Sequence, residues 1–90
     1  MKHLNIRVTG RVQGVFFRAS ARDIARGLGL RGFVCNEPEG SVYIEAEGKE
    51  KALSQFVEWC KKGPPHADVS GVEVREDQVQ NLSGFEIRRK

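Results

Sequence analysis

Gly10-Arg11-Val12-Gln13-Gly14-Val15-Phe16-Phe17-Arg18 joins a run with the period of a strand to a run with the period of a helix. Upstream, Leu4, Ile6 and Val8 alternate with Asn5 and Arg7, so one face of the segment is apolar and the other polar. Downstream, Ala21, Ile24, Ala25 and Leu28 recur at helical spacing, with Arg22, Asp23 and Arg26 on other faces. The joint contains two glycines. They free the backbone for conformations that bulkier residues avoid, and successive N–H groups can then curl toward one point. A helix N-terminus adds unpaired N–H groups and the positive end of its dipole. Together these suit an anion, of which phosphate is the common one.

Arg18 is the odd residue. A cation in the first turn of a helix is set against the dipole, and a bound anion would reverse that sign. Alone, such a loop is commonly just a turn. It is not a nucleotide-binding P-loop, because no Gly-Lys-Ser/Thr follows Gly14, and G-x-G-x-x-G is absent as well.

Arg31 to Asn36 reads as a second strand and Glu37-Pro38-Glu39-Gly40 as its turn. Val42, Ile44 and Ala46 alternate with Tyr43, Glu45 and Glu47 in a third strand, closed by Gly48. Lys49 to Lys62 is a second amphipathic helix with Leu53, Phe56, Val57 and Cys60 on one face, and Gly63-Pro64-Pro65 stops it. Val72 and Val74 suggest a fourth strand, Phe85 and Ile87 a short last one, and the polar run from Glu76 to Gly84 a loop. The order is βαββαβ with one extra strand. That is the split βαβ pattern of an α+β, ferredoxin-like sandwich, an antiparallel sheet with two helices on one face.

Ninety residues make one domain over residues 1–90, and 39% apolar with 30% charged residues fit a globular chain. No run is long or apolar enough to cross a membrane, and the N-terminus lacks a signal-peptide core. Two cysteines without close spacing fit a reducing compartment, so the cytoplasm is expected. A net charge of +3 and a pI near 9.1 favour an anionic partner without naming one. Arg88-Arg89-Lys90 reads as a solvated strand end. His3, His66, Cys35 and Cys60 lack ligand spacing, so neither a metal nor a cofactor is expected. His3 and His66 read as a strand end and a loop, and Tyr43 and Trp59 as sheet-face and helix-packing residues.

Asn36 ends the second strand and shares a face with Val34. If Val34 points to the helices, Asn36 lies where the first helix begins, and its amide can orient a water without any charge. Asn before Glu-Pro-Glu-Gly suits a hairpin turn equally well.

At this point the chain resembles the acylphosphatases. The first signature is similar to Val8-Thr9-Gly10-Arg11-Val12-Gln13-Gly14-Val15-Phe16-Phe17-Arg18. The second is similar to Gly32-Phe33-Val34-Cys35-Asn36-Glu37-Pro38-Glu39-Gly40-Ser41-Val42, continuing to Gly48. The later half, including Glu58-Trp59 and Gly84 to Arg88, is similar in layout but less diagnostic. The resemblance implies hydrolysis of the carboxyl–phosphate bond of small acyl phosphates. The missing ligand cluster makes a metal-independent reaction the expectation, and without a long exposed apolar stripe a monomer is expected. The resemblance also implies that Arg18 binds phosphate, Asn36 positions the attacking water, and backbone N–H groups of Gln13, Gly14, Val15, Phe16, Phe17 and Arg18 form the cradle. With no His or Asp in either motif, and Ser41 the sole serine, it implies that the substrate's own phosphate takes the water's proton. Cys35 departs from the family, which usually carries a basic or amide residue there. By alternation it faces away from Asn36, as an exposed thiol beside the site. Cys60 reads as a buried thiol.

An RNA-recognition fold shares the element order, and Arg31-Gly32-Phe33-Val34 is similar to the start of its sheet motif. Further stacking aromatics are missing, and the match falls on the second strand rather than the third, so no nucleic acid is expected. The acylphosphatase-like domain of larger hydrogenase-maturation proteins is a third reading, disfavoured by the lack of a second domain.

Overall fold

The computed structural model describes residues 1–89. Seven elements follow one another: β1 (Lys2–Arg11), α1 (Phe17–Gly27), β2 (Arg31–Asn36), β3 (Val42–Gly48), α2 (Glu50–Lys62), β4 (Asp68–Asp77) and β5 (Phe85–Ile87). The strands form one sheet in the order β4-β1-β3-β2-β5. The first four pair antiparallel, whereas β5 runs parallel to β2, with Gly32, Phe33 and Val34 opposite Phe85, Glu86 and Ile87. The sheet is therefore mixed at that edge. β4 is also longer than its two valines suggested, and the connecting loop begins only after Asp77.

Alternation does what the pattern requires. Ile6, Val8, Val34, Ile44 and Ala46 are buried, and they share one core with Phe17, Ala21 and Ala25 of α1 and Leu53, Phe56 and Cys60 of α2. Each fully buried Val, Leu, Ile or Phe contributes about 1.5–3 kcal/mol, so this shared face is what holds both helices to the sheet. Trp59 packs on Phe17 and Phe56, with ring centroids 5.2 and 6.2 Å apart. Burial pushes the Cys60 thiol up to about 12, as suits a core thiol.

The other face of the sheet is where the polar alternates point, and one part of it is not solvated. His3 and Glu47 are fully buried there. The loop after β4 crosses back over them, and the N–H groups of Gln80 and Leu82 donate to the Glu47 carboxylate at 2.6 and 2.9 Å. The His3 imidazole lies between two carboxylates, 2.9 Å from Glu47 and 2.8 Å from Glu45. Carboxylates only accept, so the ring satisfies both contacts when both nitrogens carry protons. Burial alone would lower the His3 pKa, but the hydrogen bonds and charges of Glu47 and Glu45 outweigh it and hold the pKa above 6.5. Burial likewise acts to raise the pKa of Glu47, and the Gln80 N–H, His3 and the Leu82 N–H overcome it, leaving the value below 4.5.

These opposite shifts define a pH window. The His3 contribution to stability is fully present below about 6.5, its unfolded pKa, and is lost as pH climbs through the higher folded value. The Glu47 contribution is present above about 4.5 and is lost as pH falls. The gap in melting temperature between the wild type and His3→Gln is therefore expected to be widest between those limits and to close toward alkaline pH. A gap that stays constant from pH 5 to pH 9 would show that His3 is not the charged group of this cluster.

Candidate active site

The loop between β1 and α1 is nailed down by alternate residues. Val12, Val15 and Phe17 are buried in the core, whereas Gly14 and Phe16 are exposed. Both exposed residues have positive φ, 75° at Gly14 and 64° at Phe16. A Cβ on Gly14 would meet nothing within 4 Å, so the glycine is required by its backbone conformation rather than by crowding. Phe16 has no such excuse. A left-handed backbone costs an L-residue about 1–2 kcal/mol, and the ring recovers little of it at 78% exposure. Phe16 is also the N-cap of α1 and makes no side-chain cap hydrogen bond. As a result, no N–H from Gln13 to Ala19 is bonded to another backbone group among the described residues.

The Gln13 side chain ties this loop to the β2–β3 turn. Its Nε2 donates to the carbonyl oxygens of Glu37 and Ser41 at 2.8 and 2.9 Å. The turn itself closes through Glu37 N–H to Ser41 O at 2.9 Å. Asn36, the last residue of β2, is thus held in register with the loop.

Arg18 and Asn36 line the same cleft of ≈ 280 Å³, together with Gly14, Phe16 and Phe17. Arg18 is half-buried and has no carboxylate or hydrogen-bond partner among the described residues. The first turn of α1 contains no acidic residue to offset it. Asn36 is half-buried, and its Oδ1 is a buried acceptor without a hydrogen-bond partner. Such an orphan costs about 1–3 kcal/mol unless something enters to satisfy it. An adjoining cleft of ≈ 400 Å³ shares Arg18 and Asn36 and continues past Glu37 and Pro38. A groove of similar size, ≈ 410 Å³ between α2 and β4, is lined by Leu4, Leu53, Val57 and Val74 with Lys2 and three glutamates, a poor match for an anion. Among the described residues no group of three His, Cys, Asp or Glu side chains is arranged to hold a metal ion.

Of the six residues from Gln13 to Arg18, Gly14, Phe16, Phe17 and Arg18 line the cleft with Asn36, whereas Val15 is buried in the core and the Gln13 side chain braces the β2–β3 turn. One expectation needs correction. Cys35 is on the face away from Asn36, but it is 3% exposed rather than open. Tyr43 lies directly opposite it and Phe33 two residues away on the same face, and a thiol between two rings is screened by them. Arg88 and Arg89 are exposed, as a solvated end requires, and each also has a neighbour in the fold. Arg89 lines both clefts beside Arg18 and Asn36, and Lys90 lies outside the described residues. Arg88 turns to the opposite face and covers the Phe33 ring, 3.8 Å from its centroid. The spacing of the sequence had no signal for this, because it depends on β5 running parallel to β2.

The family model for acylphosphatase matches residues 4–87. An acylphosphatase of Rubrobacter xylanophilus is 49% identical over 97% of this chain and 80% of its own length. One from Archaeoglobus fulgidus is 49% identical over 93% of this chain and 94% of its own. The crystal structure of acylphosphatase from Bacillus subtilis superposes with a TM-score of 0.96 at 40% identity, covering 98% of this chain and 99% of that one. No helix is long and apolar enough to cross a membrane among the described residues. With a partnerless arginine and a run of unbonded N–H groups around one cleft, and with relatives matched nearly end to end, this chain belongs to the acylphosphatase family, enzymes that hydrolyse acyl phosphates.

Proposed function

We infer that Arg18 and the N–H groups from Gln13 to Arg18 hold the phosphoryl group of an acyl phosphate, and that Asn36 positions the water that attacks it. The observation that carries this reading is that an unpartnered cation and an asparagine whose buried amide oxygen has no partner line one cleft. A guanidinium presents two parallel N–H donors to phosphate oxygens, and the loop N–H groups supply fixed dipoles aimed at the same charge. Rotation about the soft χ2 torsion turns either end of the Asn36 amide toward the cleft, where Oδ1 gains a water as its missing partner. The water oxygen bonds to phosphorus as the bond from phosphorus to the acyl oxygen breaks. That electron pair leaves on the carboxylate, and the water's proton passes to a phosphoryl oxygen.

Positioning and electrostatics are most of what phosphoryl transfer needs. A carboxylate is a good leaving group, so no acid is required to protonate it. The reaction accordingly runs without a metal, in a single domain that works as a cytoplasmic monomer and binds no nucleic acid. The test is orthophosphate release from benzoyl phosphate with and without enzyme, in excess chelator. Activity is expected to be unchanged by the chelator, and p-nitrophenyl phosphate to be turned over negligibly. Activity lost on chelation and restored by magnesium or zinc would overturn the metal-free mechanism.

A further inference from the structure

Arg89 stands in a position that the phosphate chemistry does not use. Because β5 runs parallel to β2, with Val34 opposite Ile87, continuing that register brings Arg89 alongside Asn36. Alternation then decides its face. Phe85 is buried in the core and Ile87 packs against it, so Arg89 shares their side of the sheet, whereas Arg88 takes the other side over Phe33. Arg89 has no carboxylate or hydrogen-bond partner among the described residues. It lines the cleft that contains the N–H cradle and also the adjoining cleft of ≈ 400 Å³, which contains none of the cradle residues but Arg18. The phosphoryl end belongs in the first of these. Whatever is attached to it extends past Arg89.

We propose that Arg89 recognises a second anionic group on the acyl chain, so that this enzyme prefers acyl phosphates of dicarboxylic or otherwise anionic acids. The proposal rests on the assignment of Arg18 and the loop to the phosphoryl end. Arg89 is exposed, and in a cleft that Arg18, Arg88 and Glu37 also line its planar fork is well placed for a carboxylate. Because it also lines the adjoining cleft beyond the loop, it is placed to meet the distal end of a short chain. Contacts to that end are the same in ground and transition states, so the preference belongs in KM rather than in kcat.

Succinyl phosphate and butyryl phosphate test this, since both carry four-carbon chains and differ in the distal carboxylate. The wild type is expected to favour succinyl phosphate in kcat/KM. In Arg89→Gln that preference falls about fivefold, the scale of a single partly exposed ion pair, and in Arg89→Glu it inverts. Butyryl phosphate turnover falls less in both variants. Lys61→Gln, which removes one positive charge from α2 away from the cleft, leaves the ratio unchanged. A ratio that is the same in the wild type, Arg89→Gln and Arg89→Glu overturns the assignment of Arg89, and so does an equal loss in Lys61→Gln. If the wild type hydrolyses neither compound, the reading of the phosphate site fails first and this one falls with it.

Discussion

Arg18→Gln is expected to lower kcat/KM for an acyl phosphate by about 10²–10⁴. Two charge-assisted hydrogen bonds to a phosphoryl group are together worth roughly 3–6 kcal/mol, and each 1.36 kcal/mol is a factor of ten. The loss should appear in binding as well as in turnover, because the guanidinium meets the phosphoryl group before and during reaction. Inhibition by orthophosphate should therefore weaken in parallel. Stability should move the other way. Arg18 lies in the first turn of α1 with no acidic neighbour in that turn, and removing its charge relieves about 0.3–1 kcal/mol of repulsion from the helix dipole. Arg18→Lys keeps the charge but loses the fork, and should recover only part of the activity. Steady-state kinetics, phosphate inhibition and thermal melting on the three proteins separate these terms. A folded Arg18→Gln enzyme within tenfold of wild type would remove Arg18 from the phosphate site.

The same region concentrates features that the fold does not need. Phe16 is held left-handed, Arg18 opposes a dipole, and Asn36 keeps a buried oxygen unpaired. Each costs on the order of 1 kcal/mol, and they persist because Val12, Val15, Phe17 and the Gln13 brace over-determine the loop. Strain gathered beside a cleft and absent from the packed helices is consistent with a site organised before its ligand arrives.

What was legible follows from where the controlling interaction lies in the chain. The strand of Leu4, Ile6 and Val8, the helix stripes and the Gly14 turn depend on neighbours a few residues apart, and periodicity displays them. Arg18 stood out for a local reason too, its conflict with the helix it begins. Asn36 was visible as a residue sharing a face with Val34, but only register could bring it to Arg18. Other features have no local trace. Glu47 alternates to the outer face, where a carboxylate is ordinarily solvated, and only the returning loop of Gln80 and Leu82 buries it with His3. Arg89 reads as a charged terminus until a three-residue parallel strand carries it to the cleft. Nothing in an exposed phenylalanine predicts the left-handed backbone at Phe16.

Asn36→Ala is expected to cut kcat by about 10²–10³, roughly 3–4 kcal/mol of barrier, which is the scale for deleting one preorganised polar group at a reacting centre. Its signature should differ from that of Arg18→Gln. The amide addresses the water rather than the phosphoryl oxygens, so inhibition by orthophosphate should be nearly intact while turnover collapses. Stability separates this from a mere turn residue. A structural asparagine would lose hydrogen bonds on truncation and cost the fold about 1 kcal/mol. Here Oδ1 has no bond to lose, and removing a buried orphan acceptor should leave the melting temperature unchanged or raise it. The two quantities are thus predicted to move in opposite directions, slower chemistry in an equally or more stable protein. If the folded variant keeps most of its kcat, the water is aimed by something else. If it loses kcat together with phosphate binding and several degrees of stability, Asn36 acts by holding the β2–β3 turn against Gln13, and the loss of activity is a loss of shape.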